Sequence, residues 1–326
     1  SFKFAWSIYV GWMPWGYASD AGIVKKWADK YGIEIEVVQF NDYIESINQY
    51  TAGAYDGVTA TNMDLLAIPS VGGIDTTALI VGDFSNGNDA VILKGADELG
   101  AIKGKPVNLV ELSVSHYLLA RALESVGLSE KDVTVINTSD ADMVAAYGTS
   151  DVEAVVTWNP LVAEILEVPG ASSVFTSADI PGEIIDIGAV NTEVLAENPD
   201  FGKALVGDWY ETMMSMSSDT KEGKKARAAM GEASGTDLEG YDAQLASTMM
   251  FYKPAEAAAF TISKDLPTTM ELVRMFLFKH GLLGEGATTP DVVGISFPEA
   301  EPLGDANNIK LRFNAQFMQM AADGAL

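Results

Sequence analysis

The chain contains 326 residues, of which 48% are hydrophobic, and this composition is typical of a globular protein with one large or two medium domains. Its 20 basic and 46 acidic residues give a formal net charge of −26, which argues against nucleic acid and anionic membrane surfaces as partners because both would repel it. The absence of cysteine excludes disulfides, thiol catalysis and thiolate metal sites, and no apolar run approaches the roughly 20 residues of a membrane span.

The first part of the chain alternates short β-branched runs with helical patterns, which indicates an α/β fold with parallel sheets. Strands are predicted near 5–11, 33–40, 56–60 and 77–82, and helices near 20–31, 42–52 and 62–68. The segment "IYVGWMPWGYASDAG", residues 8–22, is predicted to be a loop that holds aromatic side chains ready for a ligand.

A second α/β series follows, and after about residue 193 the pattern is helical almost throughout. The second series has predicted strands near 89–93, 106–111, 133–137 and 153–157, helices near 114–126, 139–148 and 160–167, and an extended run at 183–191. This order predicts two lobes joined by two crossings, in which lobe 1 is 1–87 plus 190–326, including a C-terminal helical tail, and lobe 2 is 88–189.

Ligands of parallel α/β sheets bind beyond the carboxyl ends of the strands, so the residues at those positions are the candidates for a site. In lobe 1 they are Trp12, Trp15, Tyr17, Asp42, Asn62, Asp64 and Asp83. In lobe 2 they are Glu111, Ser113 and Trp158, with Asp186 in the return strand. The set is rich in carboxylates and contains no Lys or Arg, whereas an anion site usually includes one. We therefore expect a cationic or strongly hydrogen-donating ligand.

Structural roles compete with ligand contact at most of these positions. Asp42 with Glu45 matches an N-cap with its capping-box partner, and Asp64 would favour a helix dipole whatever its function. The tryptophans could be core residues. Glu111 lies outside the best cap position and must find a partner or stay hydrated, which favours function. A heavily solvated surface, as in a salt-adapted organism, explains the excess of acids without any ligand.

Signals for an enzyme are weak. His280 suits a helix C-terminus, while His116 could face a cleft or be solvated. The chain lacks the G-x-S-x-G, H-E-x-x-H, EF-hand and Rossmann patterns, and "GAIKGKP" at 100–106 has the wrong spacing for a P-loop. The chain contains the acidic residue types that a glycosidase pairs for catalysis, but nothing in the sequence indicates such a pair. We therefore predict no catalytic residues, no metal site and no cofactor.

Five segments within residues 5–210 carry a resemblance to a known family: "IYVGWMPWGYASDAGIVKKWADKYGIEIEVVQF", "INQYTAGAYDGVTATNMD", "LSVSHYLLARALESVGL", "DVEAVVTWNPLVAEI" and "EIIDIGAVN". They resemble periplasmic solute-binding proteins of ABC importers, in the branch that binds nitrate, sulfonates, taurine and thiamine precursors. The resemblance implies a two-lobe, type II binding-protein fold, a monomer that works with an inner-membrane ABC permease, and a periplasmic location. The first residue is not methionine, so we expect that a leader has been removed.

Within this branch, "NLVELSVSHYLLARALESVGL" and "TWNP" resemble binding proteins associated with urea carboxylase, which implies urea or guanidine as cargo. The acidic candidates favour guanidine, a planar cation with several N–H donors. The chain would capture it in the cleft between the lobes and close about the two crossings. Alternative cargoes are urea, another amidine or amine, and a thiamine-pyrimidine-type heterocycle; an enzyme of similar architecture is the remaining alternative.

Overall fold

The computed structural model describes all residues from 1 to 326, and the chain forms two compact units. The first unit consists of Ser1–Asp83, Ile185–Asp242 and Met250–Leu326, and the second of Phe84–Ile184 and Ala243–Met249. The lobe bounds expected from the sequence, 1–87 plus 190–326 and 88–189, remain a prediction. None of the helices combines the length and the apolarity that crossing a membrane requires.

The chain folds into thirteen strands and fourteen α-helices. The strands are β1 Phe2–Ser7, β2 Ile35–Phe40, β3 Gly57–Thr61, β4 Thr76–Ser85, β5 Ala90–Lys94, β6 Pro106–Leu109, β7 Thr134–Asn137, β8 Ala154–Thr157, β9 Ala171–Thr176, β10 Ile185–Asn191, β11 Thr248–Met250, β12 Gly294–Ser296 and β13 Ile309–Phe313. The helices are α1 Met13–Asp20, α2 Ile23–Lys30, α3 Tyr43–Thr51, α4 Asn62–Leu65, α5 Val114–Ser125, α6 Met143–Tyr147, α7 Leu161–Leu166, α8 Thr192–Glu197, α9 Pro199–Ser217, α10 Lys221–Ala233, α11 Leu238–Leu245, α12 Pro254–Thr261, α13 Asp265–Lys279 and α14 Gln316–Ala322.

A mixed sheet forms the centre of the first unit, with its strands in the order β12-β13-β4-β10-β3-β1-β2. β1 is parallel to both β2 and β3, and β13 is parallel to β4. β10 is antiparallel to β3, with Asp186 directly opposite Thr61. The start of β10 therefore lies beside the carboxyl end of β3.

A layer of aromatic rings packs helices α1 and α9 onto this sheet. The ring of Trp15 lies 4.4 Å from that of Phe4 and 5.0 Å from that of Trp209, and all three residues are at most 2% exposed. Glycines on the strands make room for the indoles, because a Cβ at Gly188 would lie 3.4 Å from Trp15 and one at Gly82 would lie 3.1 Å from Trp209. Large buried rings of this kind dominate the apolar area removed from water in a core.

The segment predicted to be an aromatic loop is largely helical, and this prediction is wrong. Residues 13–20 form α1, with Pro14 in its first turn, where the missing N–H of proline costs no hydrogen bond. Proline and glycine were taken as loop signals, whereas here proline begins a helix. The strand predicted at 5–11 accordingly ends at Ser7.

The second unit is built on a five-stranded sheet in the order β7-β6-β8-β5-β9. β6 is parallel to β7 and β8, while β5 is antiparallel to β8 and β9, so this sheet is mixed rather than mostly parallel. Its core on one side is a cluster of buried side chains: Ala90, Ile92, Met143, Tyr147, Val152, Val155, Val162 and Ile165. β9 was missed in the prediction.

The C-terminal part is helical with exceptions that the sequence did not reveal. Besides α8–α14, it contains the three short strands β11, β12 and β13, and β13 pairs in parallel with β4 in the sheet of the first unit. Strands of three to five residues carry too little periodicity to be recognised within a helix-rich segment.

One buried acid in the first unit has no obvious structural role. Asp208 on α9 is fully buried, and neither of its carboxyl oxygens has a hydrogen-bond partner. Burial, with a smaller effect of Glu211, raises the pKa of Asp208 well above its ordinary value of 3.8. The folded chain therefore holds a proton that the unfolded chain releases above about pH 4. The stability that depends on this proton is present at low pH and is lost as the pH rises toward the raised pKa.

We expect Asp208→Asn to flatten the pH dependence of stability. In the wild type, this group should lower the free energy of unfolding by up to about 1.4 kcal/mol for each pH unit above about pH 4, until the pH reaches the raised pKa. The variant should lose that part of the slope and be the more stable protein at pH 8. Scanning calorimetry between pH 4 and pH 9 measures the difference. Identical slopes for the two proteins would contradict the prediction.

Candidate functional site

Three neighbouring strands of the first unit bring three carboxyl groups to one place. Asp64 follows β3, Asp186 is the second residue of β10, and Asp83 lies near the end of β4. They are 0%, 4% and 0% exposed, respectively. We call Asp64, Asp83 and Asp186 the acid triad. All three were predicted from the rule that strand ends form ligand sites.

Two tyrosines donate hydrogen bonds to the triad. The hydroxyl of Tyr9 donates to Asp83 Oδ1 at 2.9 Å, and the hydroxyl of Tyr43 donates to Asp64 Oδ2 at 2.6 Å. The Tyr43 oxygen also accepts from the backbone N–H of Thr61 at 3.0 Å, and the Thr61 hydroxyl donates to Asp64 at 2.9 Å. These bonds orient the carboxyl groups without bringing a positive charge to them.

Trp12 connects the two tyrosines. Its ring meets that of Tyr9 edge-on at 5.0 Å and lies tilted at 5.7 Å from that of Tyr43. The residue is 5% exposed. Aromatic pairs in these arrangements stabilise each other beyond the area they bury. Trp12 thus fixes the two hydroxyl donors relative to each other.

The electrostatics of the triad are unfavourable in the absence of a cation. Burial, followed by the neighbouring Asp83, raises the pKa of Asp186 well above its ordinary value, and Asp64 adds to the effect. Asp186 lies within hydrogen-bonding reach of Asp83 and Tyr9, but its Oδ2 atom has no hydrogen-bond partner. Several buried carboxylates cannot all stay ionised side by side without a counter-charge, so the site favours either a proton or a cation.

The arginines and several lysines of the chain pair with acids outside the triad. All four arginines of the chain bind carboxylates elsewhere, in the pairs Arg121–Glu183, Arg227–Asp242, Arg274–Asp291 and Arg312–Asp75. The lysine ion pairs involve acids outside the triad as well. These arginine and lysine side chains are therefore engaged with carboxylates other than those of the triad.

Asn62 anchors the strand that carries Asp186. It is 1% exposed, its Oδ1 accepts from the backbone N–H of Ile185 at 3.1 Å, and its Nδ2 lies 3.7 Å from the sulfur of Met270. The predicted residue thus lies next to the triad and fixes the start of β10. A contact between Asn62 and a ligand stays a prediction.

Three other predicted residues of the first unit have structural positions. Asp42 is the N-cap of α3, where its Oδ1 accepts from the backbone N–H of Glu45 at 2.9 Å. Trp15 belongs to the core layer described above, and Tyr17 is half-buried on α1. Asp42 thus caps a helix and Trp15 packs in the core, while a contact of these three residues with a ligand stays a prediction.

The predicted residues of the second unit differ in their environment. The side chain of Glu111 is exposed to water, so its charge needs no partner. Ser113 is the N-cap of α5, with its hydroxyl accepting from Ser115 N–H at 3.2 Å. Trp158 is 5% exposed at the end of β8. The assignment of these three residues to a ligand site stays a prediction.

Histidine 116 is not the solvated residue that the sequence favoured. It is 5% exposed, its Nδ1 accepts from the backbone N–H of Leu112 at 3.1 Å, and its Nε2 bonds to Glu130. Leu112 has a φ of 62°, a left-handed conformation that is uncommon for a leucine. The histidine therefore holds a strained turn at the start of α5.

Three residues in contact with the triad were missed in the sequence: Tyr9, Gly11 and Tyr43. Gly11 matters because a Cβ there would lie 2.4 Å from Asp83 Oδ2 and 2.6 Å from the ring of Tyr9. Tyr43 directly follows the N-cap of α3, and Tyr9 lies within the predicted first strand. The sequence places Tyr9 shortly after β1 and Tyr43 shortly after β2. Because a buried tyrosine hydroxyl needs a hydrogen-bond partner, this position was the signal that could have identified them.

The model of the NMT1-like family matches residues 5–231, well over half of the chain. The chain belongs to the NMT1-like family. A protein of Brucella abortus that is named as a binding protein is 27% identical over 193 residues. That match covers 58% of this chain and 58% of that protein, so the chain spans little more than half of this relative.

Solved structures of binding proteins share the fold of this family member. The alkanesulfonate-binding protein SsuA from Xanthomonas axonopodis pv. citri, bound to MOPS, matches with a TM-score of 0.71 at 15% identity, over 87% of this chain and 94% of that one. The periplasmic nitrate-binding protein NrtA from Synechocystis PCC 6803 matches with a TM-score of 0.63 at 14% identity, over 100% and 98%. The predicted α/β two-domain fold of periplasmic binding proteins is confirmed.

These relatives are binding proteins and not enzymes, in line with the prediction. The predicted resemblance is thus confirmed at the level of the superfamily. Membership of the narrower urea and guanidine group stays a prediction.

We expect Tyr9→Phe to destabilise the folded chain by about 1–3 kcal/mol at pH 7, because it removes the donor from a buried carboxyl group. Tyr210→Phe is the matched control, since Tyr210 is 7% exposed but its hydroxyl has no hydrogen-bond partner. Thermal unfolding of both variants measures the difference. Equal losses would mean that the Tyr9–Asp83 bond contributes nothing specific.

We expect Gly11→Ala to lower the melting temperature, because the added methyl group overlaps Asp83 and Tyr9. Overpacking of this kind costs about 1–3 kcal/mol. Gly100→Ala provides the control, because nothing lies within 4 Å of a Cβ at that position. If both variants melt like the wild type, the close approach of Gly11 to Asp83 is not required.

Proposed function

We propose that the chain is the solute-binding component of an ABC uptake transporter and that its cargo is guanidine, bound as the guanidinium cation. Membership of the NMT1-like family and the binding-protein fold support the transport role. The chain would act in the periplasm and deliver the cargo to an inner-membrane permease, without making or breaking a bond. The acid triad, in which three buried carboxyl groups lie together, is the observation on which the choice of cargo depends.

The charge of the triad supports a cationic cargo. A cation about 4 Å from a carboxylate gains roughly 4 kcal/mol at an effective dielectric constant near 20. Part of this gain is offset by the loss of hydration of both ions. Because the triad is already buried in the first unit, the larger share of the carboxylates' desolvation has occurred before the cargo binds. A neutral cargo would leave that cost uncompensated.

The donors and rings around the triad support a planar cargo rich in N–H groups. A carboxylate is an acceptor with two oxygens, and guanidinium can donate to both of them at once. Trp12, Tyr9 and Tyr43 supply aromatic faces and edges next to the acids. Guanidinium is attracted to such faces by cation–π interactions, whereas a compact ammonium ion makes fewer directed bonds.

Urea has the same shape as guanidinium and similar donors but no charge. It could form the hydrogen bonds, yet the triad would then have to keep its own proton or stay uncompensated. Nitrate and taurine carry negatively charged groups that the triad would repel. The charge of the cargo therefore separates the proposed function from its alternatives more sharply than the shape of the cargo does.

We expect guanidinium to raise the melting temperature at concentrations of a few millimolar, far below those that denature proteins, and urea, taurine and nitrate to leave it unchanged. A cargo present at 100 times its Kd stabilises the folded state by about 2.7 kcal/mol. Asp186→Asn should weaken guanidinium binding at least tenfold in calorimetry, since a charged hydrogen bond contributes about 1.5–3 kcal/mol. Asp208→Asn, which changes another buried acid of the first unit, is the control and should bind like the wild type.

Stabilisation by taurine or nitrate without any effect of guanidinium would contradict the proposed cargo. Stabilisation by urea and guanidinium alike would show that the charge of the cargo is unimportant. Equal affinity in Asp186→Asn and the wild type would exclude the triad as the site, even if guanidinium binds elsewhere.

A further inference from the structure

We propose that Tyr241 is a positioning residue for the cargo site, because its hydroxyl holds the turn at residues 9–12 in place beside the acid triad. We call residues 9–12 the aromatic turn. The inference rests on the proposed function, since it concerns the site at which that function places the cargo. Tyr241 is neither an acid of the triad nor a donor to it, and it lies on α11, 231 residues after its partner Val10.

The aromatic turn carries three contacts of the site. The hydroxyl of Tyr9 donates to Asp83 Oδ1 at 2.9 Å, and a Cβ at Gly11 would lie 2.4 Å from Asp83 Oδ2. The ring of Trp12 contacts the rings of Tyr9 and Tyr43, which donate to the triad. A displacement of the turn would therefore move a donor, a close backbone contact and a ring of the site together.

The remaining residue of the turn, Val10, connects it to α11. Val10 is 0% exposed, and its carbonyl accepts from the hydroxyl of Tyr241 at 2.8 Å. The turn already has a helical pattern, since the N–H of Met13 donates to the carbonyl of Tyr9 at 3.1 Å. The next donor in that pattern would be the N–H of residue 14, but Pro14 has none. Tyr241 thus supplies a donor that the helix cannot, to a buried carbonyl that needs one.

Tyr241 is itself held firmly by the packing of α10 and α11. It is 0% exposed, and its hydroxyl also lies 3.4 Å from the sulfur of Met230, which is a weaker acceptor than a carbonyl. A Cβ at Gly231 would lie 3.1 Å from the Cβ of Tyr241, so the two helices approach closely. The next residue, Asp242, accepts from Arg227 Nε at 2.7 Å. The hydroxyl therefore gives the aromatic turn a fixed point of attachment.

Tyr241 acts on the geometry of the site and not on its charge. Burial raises the pKa of Tyr241 well above its ordinary value of 10.0, so its hydroxyl is a neutral donor at physiological pH. Tyr241→Phe removes this one donor and keeps the ring that packs between the helices. We therefore expect the variant to fold, to release the carbonyl of Val10, and to let the aromatic turn shift relative to the triad.

Calorimetry with guanidinium chloride at pH 7 tests the effect on the site. We expect Tyr241→Phe to raise the Kd of the full chain about fivefold, in keeping with the loss of one neutral hydrogen bond. Tyr50→Phe is the matched control, because Tyr50 is 2% exposed and its hydroxyl is hydrogen-bonded to that of Thr76 at 2.8 Å. Both variants should lower the melting temperature similarly, but Tyr50→Phe should bind like the wild type.

A measurement without cargo tests the position of the turn by itself. The chain contains six tryptophans, so the protein labelled with 5-fluorotryptophan gives six fluorine resonances, and Trp12→Phe identifies the one that belongs to Trp12. We expect Tyr241→Phe to shift this resonance and Tyr50→Phe to leave it in place. A loss of stability alone would not distinguish the two variants in this way.

A second substitution tests whether Tyr241 acts through Val10. Pro14→Ala, added to Tyr241→Phe, provides the N–H of residue 14 as a new donor to the carbonyl of Val10. We expect this double variant to return the Kd and the Trp12 resonance toward their wild-type values. If Tyr241→Phe alone does not fold, both measurements are made on the double variant. A double variant that has neither the affinity nor the resonance of the wild type would overturn the inference.

The outcomes separate the role of Tyr241 from the proposed function. If guanidinium binds Tyr241→Phe as tightly as the wild type, or if the Trp12 resonance stays in place, the inference is wrong while the proposed function stands. Equal losses of affinity in Tyr241→Phe and Tyr50→Phe would overturn it as well. If guanidinium does not bind the wild type, the proposed function fails, and the Trp12 resonance alone shows whether Tyr241 holds the aromatic turn.

Discussion

The burial of three carboxyl groups beside one another is the constraint on which the rest of this structure depends. A folded chain normally avoids this arrangement, because each buried carboxylate loses its hydration and repels the others. Here two tyrosine hydroxyls and a threonine hydroxyl orient the acids but leave their charge in place. The first unit therefore tolerates three buried acids, two of which are held in place by neutral hydroxyl donors.

The topology explains how the three acids meet. β10 lies between β3 and β4 and runs antiparallel to β3, so its first residues are placed beside the carboxyl end of that strand. A parallel strand in that position would bring its last residues there instead of Asp186. Small residues complete the arrangement, since Gly11 leaves room for Asp83 and the strand glycines leave room for the indoles of the core. The site thus depends on one antiparallel strand within a sheet that is otherwise largely parallel.

The sequence placed the strand ends that carry the acids more accurately than it described the aromatic segment, and the reason is physical. Asp64, Asp83 and Asp186 follow from strand ends, and β3, β4 and β10 were predicted within three residues at each end. The first strand was predicted about three residues too late, which made Tyr9 a strand residue instead of a donor to Asp83. Trp15 was predicted in a ligand loop because Pro14 and the nearby glycines were taken as loop signals, whereas Pro14 lies in the first turn of α1. A single sequence does not show that Tyr43, 40 residues before Asp83, belongs to the same site, because such contacts arise only when the strands pair.

The charge of the residues at the strand ends also bears on the comparison with binding proteins of the same fold whose solutes are anions. The fold is shared with proteins described as binding alkanesulfonate and nitrate, at 15% and 14% identity. A shared backbone at that level of identity does not determine the charge of a site, because the strand-end positions can hold either sign of charge. In this chain those positions hold Asp64, Asp83 and Asp186, and all four arginines are engaged with other acids. Under the proposed function, the geometry of the strands places the acids together, and the side chains at the strand ends favour a positively charged solute.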